Sequence, residues 1–412
     1  TPRVFGHSFM NTKDIPFMVF FLVSMYFLLH FIEKPSIRRA VYLGVSTGIL
    51  IDIRVIGLFV FGIISGVIFF QIIKNVLGSG VKNCLDTIVS YFRNGNSFKN
   101  LSLHFTVYSR WIGFSSIFLV SVLITIYLFW PTLWANPFLV FDSISEMSRF
   151  PWGGDVLFMG DYVNSNDLPW TYLFVWMGIT IPVLTLIMFL IGLVTQVSER
   201  SNWTKISFQV LLLWFLLPLF VIIGKGAVLY DDWRHVYFLY PVVVLYSGFG
   251  FTFVYSKIDG IKTLFIDIKK LSLYVCVFYF GAIVLQLVRD REYAYVSFNT
   301  IAYSWGSNIG ENFELDYWGL SYKELISYAV DDFYSETANS FFNIRLFSDN
   351  YPGEINSLMF RNSIRGRIDY VNDLGKADYF ITNYRWRKGR LNGKPTYSVV
   401  LDNGLLLGSV YK

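Results

Sequence analysis

"RVFGHSFMNTKDIPFMVFFLVSMYFLLHFI", residues Arg3–Ile32, joins a short polar segment to an almost purely apolar run. The run begins near Ile15 and is long enough for a membrane helix, which needs about 20 mostly apolar residues. Lys13, Asp14 and Pro16 stand at its start. The stretch therefore predicts a membrane-spanning helix with charged side chains at its mouth.

The composition of the whole chain agrees with this prediction. Hydrophobic residues make up 54% of the 412 residues, and charged residues make up only 15%, against about 25% in soluble domains. Backbone groups inside a bilayer must be satisfied internally, which for these apolar runs means helices. We expect an all-α polytopic membrane bundle, and the net charge of +5 needs no nucleic acid to explain it.

Apolar stretches of spanning length recur along the first 288 residues. They are 15–32, 40–51 with 55–73, 112–130, 170–195, 206–223, 236–256 and 271–288. Asp52 and Arg54 interrupt the second group, so the piece 40–51 is either a half-span or a tight re-entry. Counting it as a span predicts about eight membrane helices.

The lysines and arginines of the loops support that count. With the Asp14 end placed outside, most loop cations fall inside, as membrane topology favours. The inside loops carry Lys34, Arg38, Arg39, Lys74, Lys82, Arg93, Lys99, Arg110, Arg200, Lys205, Lys257, Lys262, Lys269 and Lys270. The outside loops carry only Arg54, Arg149, Lys225 and Arg234. Omitting the piece 40–51 would place alternate loops on the wrong side.

A polar tail follows the last span, so we divide the chain into 1–288 and 289–412. The tail contains a helical pattern, "SYKELISYAVDDFY", and strand patterns, "FFNIRLF" and "DYFITNY". "YSVVLDNGLLLGSVY" predicts a hairpin that turns at Asp402–Gly404. We expect a small α/β domain on the outer, extracytoplasmic face.

The N-terminus and the cysteines carry little further information. The chain starts at Thr1 without a signal peptide, and we expect it to be a fragment with further spans upstream. Cys84 lies in a basic loop and Cys276 in an apolar run, so no disulfide framework is implied.

Asp14 has two interpretations. It can be a helix-start residue, because Asn11 or Thr12 can cap, an acid in the first turn favours the helix dipole, and Pro16 suits an early position. It can also be a catalytic carboxylate over a membrane cavity.

In the second interpretation Asp14 is surrounded by substrate-binding side chains. Arg3, His7 and Lys13 would hold a charged lipid headgroup, since cations bind phosphate, while Asp14 handles a hydroxyl. The two interpretations are compatible.

A second charged cluster is "GKGAVLYDDWRHVYFLYP", Gly224–Pro241. It is either a solvated loop with a surface ion pair or a phosphate site. In the latter case Arg234 and Lys225 clamp a phosphate or diphosphate. His235 is either a donor to that phosphate or an interfacial histidine.

The long outer loop Phe129–Trp176 holds a third set of charges. It holds Asp142, Glu146, Arg149, Asp155 and Asp161. Trp-Pro pairs and glycines indicate a fixed conformation. A lid over a lipid site and a simple packing loop fit this pattern equally.

Several motifs are absent from the sequence. There is no P-loop, no G-x-G-x-x-G after a strand, no H-E-x-x-H, no Cys/His zinc pattern and no D-x-D. We therefore assign no metal ligands and expect no nucleotide cofactor, while a need for a divalent ion stays open. A lipid-phosphate donor suits a membrane cavity better.

Five segments resemble a known group of enzymes. "PRVFGHSFMNTKDIPFMVFF", "WRHVYFLYP", "WPTLWANP", "DLPWTYLFVW" and "ELDYWGLSYKEL" are similar to GT-C glycosyltransferases of the protein O-mannosyltransferase and aminoarabinose transferase type, including a bacterial family-39-like subgroup. The resemblance extends over most of the chain and depends on the segments in combination.

The resemblance implies sugar transfer from a polyprenyl-phosphate donor to a protein, lipid or glycan acceptor on the non-cytoplasmic face, in a bacterial inner membrane. Asp14 matches the family's second acidic position, and Arg234 with Lys225 matches contacts to the donor phosphate. The family's first acidic loop would lie before Thr1. A transporter or lipid flippase, and a non-catalytic scaffold whose tail binds a partner, are the alternatives. Convergence of Asp14 and Arg234 would favour the enzyme.

Overall fold

A computed structural model describes residues 1–79, 98–147, 152–258, 268–304, 309–336, 342–386 and 393–412. Five residues used in the topology and cysteine arguments lie outside these ranges. They are Lys82, Cys84, Arg93, Arg149 and Lys262.

Helices dominate the described residues up to 304. They are α1 Pro2–His7, α2 Asp14–Glu33, α3 Ile37–Ile53, α4 Phe59–Ser79, α5 Phe98–Phe129, α6 Thr132–Ala135, α7 Leu139–Met147, α8 Tyr172–Thr180, α9 Val183–Ser198, α10 Ile206–Gly224, α11 Tyr240–Lys257, α12 Ile268–Asp290 and α13 Thr300–Ser304. Short 3₁₀ turns at Val55–Leu58, Arg200–Thr204, Arg234–Leu239 and Arg291–Val296 join several of them.

Within the described residues, six helical segments are long and apolar enough to cross a membrane. They are Asp14–Glu33, Val55–Lys74, Trp111–Phe129, Ile206–Gly224, Arg234–Lys257 and Ile268–Val296. The expectation of a polytopic helical membrane protein is confirmed at this level. The count of eight spans stays a prediction.

Two predicted spans differ from the observed helices. The piece 40–51 belongs to α3, a continuous helix of 17 residues that ends where Arg54 adopts an extended conformation. The stretch 170–195 is two helices, because Ile181 is extended in front of Pro182, as the residue before a proline prefers. The second of them, Val183–Ser198, is shorter than a typical span.

Glycines allow the helices to pack closely. An added Cβ on Gly192 of α9 would lie 1.8 Å from the carbonyl oxygen of Tyr246, and one on Gly250 of α11 would lie 1.9 Å from that of Met188. The backbones of α9 and α11 are therefore in direct contact, as small residues permit in membrane bundles.

The C-terminal region forms a mixed sheet with short helices. Its elements are α14 Ile309–Asn312, α15 Tyr322–Glu336, β3 Ile344–Ser348, α16 Tyr351–Asn356, α17 Asn362–Arg365, β4 Ile368–Tyr370, β5 Tyr379–Thr382, β6 Tyr397–Val400 and β7 Leu406–Tyr411. The strand order is β4-β3-β5-β7-β6. β3 is parallel to β4 and β5, whereas β7 is antiparallel to β5 and β6. The hairpin turn carries Gly404 at φ +85°.

The sheet domain is attached to the bundle by its first segment. The 3₁₀ turn Arg291–Val296 packs on α1 so closely that an added Cβ on Gly6 would lie 2.3 Å from the amide nitrogen of Tyr295. In the long outer loop, β1 Asp155–Phe158 and β2 Asp161–Asn164 form a hairpin. Phe158 of this hairpin bridges to Phe313. These contacts place residues 313–318 over the charged end of the bundle.

Candidate functional site

Asp14 lies at the centre of a buried polar network, and only 2% of its surface is exposed. Asn11 prepares the start of α2, since its Oδ1 accepts the amides of Lys13 and Asp14 at 3.2 and 2.8 Å. The Nδ2 of Asn11 donates to Asp14 Oδ2 at 2.9 Å. Asn11 therefore binds the first amides of α2 from just before the N-cap residue Lys13, and its side chain also holds the Asp14 carboxylate in place.

Two arginines from distant parts of the chain bind Asp14. Arg54, just after α3, forms an ion pair with Oδ1. Arg234, just before α11, donates from Nη1 to Oδ2 at 2.9 Å. Three helix ends thus meet at one end of the bundle. They are the N-terminus of α2, the N-terminus of the span that contains α11, and the C-terminus of α3. The structure brings Asp14 and Arg234 together, as the enzyme hypothesis requires.

Asp231 links the Asp14–Arg234 ion pair to the C-terminal domain. Its Oδ2 accepts from Arg234 at 2.9 Å and its Oδ1 from Arg385 at 2.5 Å. Asp231 and its neighbour Asp232 both have positive φ, 54° and 66°. Such a conformation is costly for residues other than glycine and often occurs at functional sites.

Asp232 is fully buried and belongs to a second branch of the network. Its Oδ2 accepts hydrogen bonds from Arg3 at 3.0 Å, Tyr237 at 3.0 Å and Tyr317 at 2.7 Å. Burial raises the pKa of Asp232, and the Arg3 charge and these hydrogen bonds oppose that rise. Arg3 is also buried, and its guanidinium lies over the ring of Phe298 at 4.7 Å.

His7 connects the two branches. Its Nε2 is 2.7 Å from the Tyr317 hydroxyl, and its Nδ1 is 3.1 Å from Asn11 Nδ2. Burial, with the charges of Arg3 and Arg234, lowers the His7 pKa to about 3. His7 is therefore neutral, and the geometry assigns its proton to Nε2, because Nδ1 faces an amide donor.

Residues 313–318, which we call the strap, cover the network. Trp318 lies against the Arg234 guanidinium at 5.4 Å, and Tyr230 lies on it at 4.9 Å. Glu314 is 3% exposed, and its Oε1 is 3.6 Å from Arg385 Nε. The strap thus contributes an aromatic wall and two buried acids, Glu314 and Asp316.

The remaining predicted binding residues have different positions. Lys13 is exposed, and its pKa is lowered by partial burial and by the charges of Arg54 and Arg234, so it stands beside the network. His235 is buried, its ring 4.6 Å from that of Tyr230. Lys225 ends α10 as an exposed residue, and the described contacts do not bring it to Asp14. Arg54, rather than Lys225, joins Arg234 on the Asp14 carboxylate, and the phosphate clamp by Lys225 stays a prediction.

Sequence reasoning missed several members of the network. Arg54 was noticed only as an interruption of a span, and Glu314, Tyr317 and Arg385 were not selected. The available signals were weak: Glu314 and Tyr317 fall in a segment noted for its resemblance, and Arg385 follows strand β5. Only tertiary structure places Arg385 next to Asp231, 154 residues away.

A small cleft of mixed polar and apolar lining adjoins the Asp231 loop. Its wall includes Asn166, Leu168, Trp170, Tyr172, Ile223 and Leu229. No group of three or more histidines, cysteines or acids suited to a metal ion occurs within the described ranges.

The fold and the network define a polytopic membrane protein with a buried, arginine-rich site at one end of its bundle. Comparisons of the chain with protein-family models, curated proteins and solved structures found no match. The function is therefore inferred from the chemistry of the site.

Proposed function

We propose that this protein is a membrane glycosyltransferase that takes a sugar from a polyprenyl-phosphate donor. The observation that carries the proposal is the convergence of Arg54 and Arg234 on Asp14 at the mouths of membrane helices. Permanently charged, forked guanidiniums are the side chains best suited to phosphate. A departing lipid phosphate would receive its stabilisation from them.

The local charge balance also favours an anionic ligand. The basic side chains of the network and its edge are Arg3, Lys13, Arg54, Arg234 and Arg385. The acids are Asp14, Asp231, Asp232, Glu314 and Asp316. Five cations balance five carboxylates, and burial raises the Glu314 pKa to about 8, so protonation of Glu314 leaves one positive charge. A phosphodiester brings one negative charge into this excess.

Donor binding would rearrange the ion pairs. A phosphate drawn to Arg54 and Arg234 competes directly with the Asp14 carboxylate that both arginines hold at rest. Asp14 therefore pre-organises the two guanidiniums and can take up a proton only after the phosphate has displaced it. Positioning and electrostatic stabilisation of this kind are sufficient for a reaction with a good leaving group.

The surroundings of the network suit a lipid donor. Leu168, Trp170 and Leu229 of the cleft beside the Asp231 loop offer apolar contacts to the start of the prenyl chain, and the exposed Lys13 can meet the headgroup as it arrives. Under this proposal the site faces the non-cytoplasmic side of a bacterial plasma membrane, and the C-terminal sheet domain lies outside it. The acceptor is a protein, lipid or glycan hydroxyl.

The test uses Asp14→Asn and Arg234→Ala in the full-length protein. We expect each to lower sugar transfer by about 100-fold or more, the usual effect of losing a catalytic charge, with expression unchanged. Transfer is measured with radiolabelled undecaprenyl phosphomannose and membranes of the source organism as acceptor. Binding of undecaprenyl phosphate to the protein in nanodiscs is measured in parallel.

Asp402→Asn is the matched control, since its side chain is 72% exposed on the C-terminal domain. It should leave both measurements unchanged. Normal transfer by both site variants would refute the proposal.

One observation favours a second function, ion- or proton-coupled transport. Both carboxylate oxygens of Asp52 in α3 are buried without a hydrogen bond from any described residue. Ionisable side chains within membrane helices commonly serve transport. Asp52→Asn distinguishes the two proposed functions. A transporter would lose coupled uptake into proteoliposomes, whereas a transferase would keep its sugar transfer.

A further inference from the structure

Glu314 differs from every other acid of the network in its hydrogen bonding. It is 3% exposed, yet neither of its carboxylate oxygens accepts a hydrogen bond of normal geometry from the described residues. Its nearest cation, Arg385, stays 3.6 Å away and binds Asp231 at 2.5 Å instead. A buried carboxylate with free lone pairs is costly and needs an explanation.

The other carboxylates are occupied by donors. Asp14 holds two arginines and Asn11. Asp231 is shared by two arginines, and Oδ2 of Asp232 accepts from Arg3 and two tyrosines. Asp316 accepts the Tyr295 hydroxyl, the Ser321 hydroxyl and two backbone amides. Among these five acids Glu314 alone has no donor of normal geometry on either oxygen, and its charge is met only by the Asp231 backbone and by Arg385 at 3.6 Å.

The groups that face Glu314 come from several elements. The carboxylates of Asp231 and Asp232 in the loop before α11 repel its negative charge, whereas Arg385 after β5 and the Asp231 backbone attract it. The tyrosines of the outer loop, Tyr162 and Tyr172, are also within electrostatic reach. Burial, reinforced by the two aspartates and opposed by Arg385, raises the Glu314 pKa to about 8. A proton acceptor works best when its pKa is close to the working pH.

The strap places Glu314 close to the reaction that the proposed function requires. Tyr317, three residues on, binds Asp232, and Trp318 covers Arg234. Arg385 connects Glu314 to Asp231, which in turn binds Arg234. The Arg385–Asp231 ion pair therefore lies between Glu314 and Arg234, the arginine assigned to the donor phosphate. Glu314 is on the side of the C-terminal domain.

We propose that Glu314 is the general base of the transfer reaction and that Arg385 positions it at the acceptor end of the site. This inference rests on the proposed function. The acceptor hydroxyl binds between the strap and the end of β5, where its O–H donates to the unoccupied carboxylate. Unlike Asp14, Glu314 needs no prior displacement of arginines.

The proposed transfer step conserves atoms and electrons. The acceptor oxygen forms a bond to the anomeric carbon of the sugar, and the bond from that carbon to the phosphate oxygen breaks with its electron pair. The hydroxyl proton passes to Glu314, and the polyprenyl phosphate leaves with its charge held by Arg234 and Arg54. Deprotonated Glu314 is the active form, so the rate should rise with pH through about 8.

The test compares wild type with Glu314→Gln in the full-length protein. We expect Glu314→Gln to bind undecaprenyl phosphate in nanodiscs like wild type and to transfer mannose from undecaprenyl phosphomannose about 100-fold more slowly. Its residual rate should lack the rise with pH. Glu314→Asp should recover part of the rate, and Glu292→Gln, on the exposed surface of the domain, is the matched control.

Infrared spectroscopy provides a second measurement that is independent of transfer. Wild type should show a protonated-carboxyl band that titrates near pH 8 and is missing in Glu314→Gln. A variant that transfers within about threefold of wild type, or one that keeps the titrating band, overturns this inference while leaving the proposed function intact. Failure of wild type itself to bind undecaprenyl phosphate and to transfer sugar overturns both.

Discussion

At the residue scale, the site is a set of shared charges rather than isolated ion pairs. Arg234 divides its donors between Asp14 and Asp231, and Arg385 lies between Asp231 and Glu314. A buried charge that loses its partner costs about 3–5 kcal/mol. Moving one member therefore changes the partners of the next, which suits a site that must exchange a carboxylate for a phosphate.

His7 provides a pH prediction at this scale. Its pKa is lowered from 6.5 to about 3, so the unfolded chain binds the proton first as the pH falls. Stability is then complete above about 6.5 and decreases toward 3, by at most about 1.4 kcal/mol per pH unit. We expect the thermal unfolding temperature of wild type in detergent to fall more steeply over this range than that of His7→Gln.

Comparing wild type with His7→Gln separates the effect of His7 on the unfolding temperature from the effect of carboxylates that titrate in the same pH range. His30→Gln, on the part-exposed surface of α2, is the control and should follow wild type. Parallel curves for wild type and His7→Gln would refute a neutral, buried His7.

At the element scale, membrane spans could be predicted from local pattern, but their interruptions and contacts could not. Apolar length predicts α2, α10 and α12 because burial in lipid requires a continuous apolar run. The break at Pro182 was lost within the stretch 170–195, since hydropathy does not change there. Likewise Asp14 and Arg234 stand out as charges beside apolar runs, whereas Arg385 lies in a polar segment where one more arginine carries no signal.

The crossing of α9 and α11 gives the prediction for this scale. Gly250→Ala places a methyl group 1.9 Å from the Met188 carbonyl oxygen, so the two helices must separate. We expect a loss of about 1–3 kcal/mol, as is usual for overpacking, measured as a lower unfolding temperature in detergent. Gly192→Ala should behave in the same way.

Gly248→Ala is the matched control on the same helix. No atom lies within 4 Å of its added Cβ, and alanine favours a helix over glycine by about 1 kcal/mol. It should be neutral or stabilising. Equal destabilisation by Gly248→Ala and Gly250→Ala would contradict the close crossing.

At the scale of the whole molecule, the C-terminal domain contributes directly to the site. The parallel strands β3 and β5 end on the side where Asn383 donates to the Asp316 carbonyl oxygen at 2.6 Å and Arg385 reaches Asp231. Side chains that follow parallel strands often form binding sites. A small α/β domain could be predicted from alternating patterns, but its attachment to the bundle depends on contacts between residues far apart in sequence.

The Arg385–Asp231 pair tests this attachment, because it joins the domain to the loop before α11. Arg385→Gln and Asp231→Asn each remove one of the two charged partners of a buried ion, so each should cost less than the roughly 3–5 kcal/mol of a fully unpaired buried charge. The double variant should cost less than the sum of the two by about 0.5–3 kcal/mol, since the second change removes a charge that has already lost this partner. Unfolding in detergent, together with the rate of proteolysis between the bundle and the sheet, measures this coupling.

The Arg345–Asp378 pair is the control. Its arginine is 52% exposed, so the two residues should couple by only about 0.2–1 kcal/mol. If both cycles gave the same small coupling, the Arg385–Asp231 pair would not hold the domain to the bundle, and the attachment would depend on the packing of Arg291–Val296 on α1.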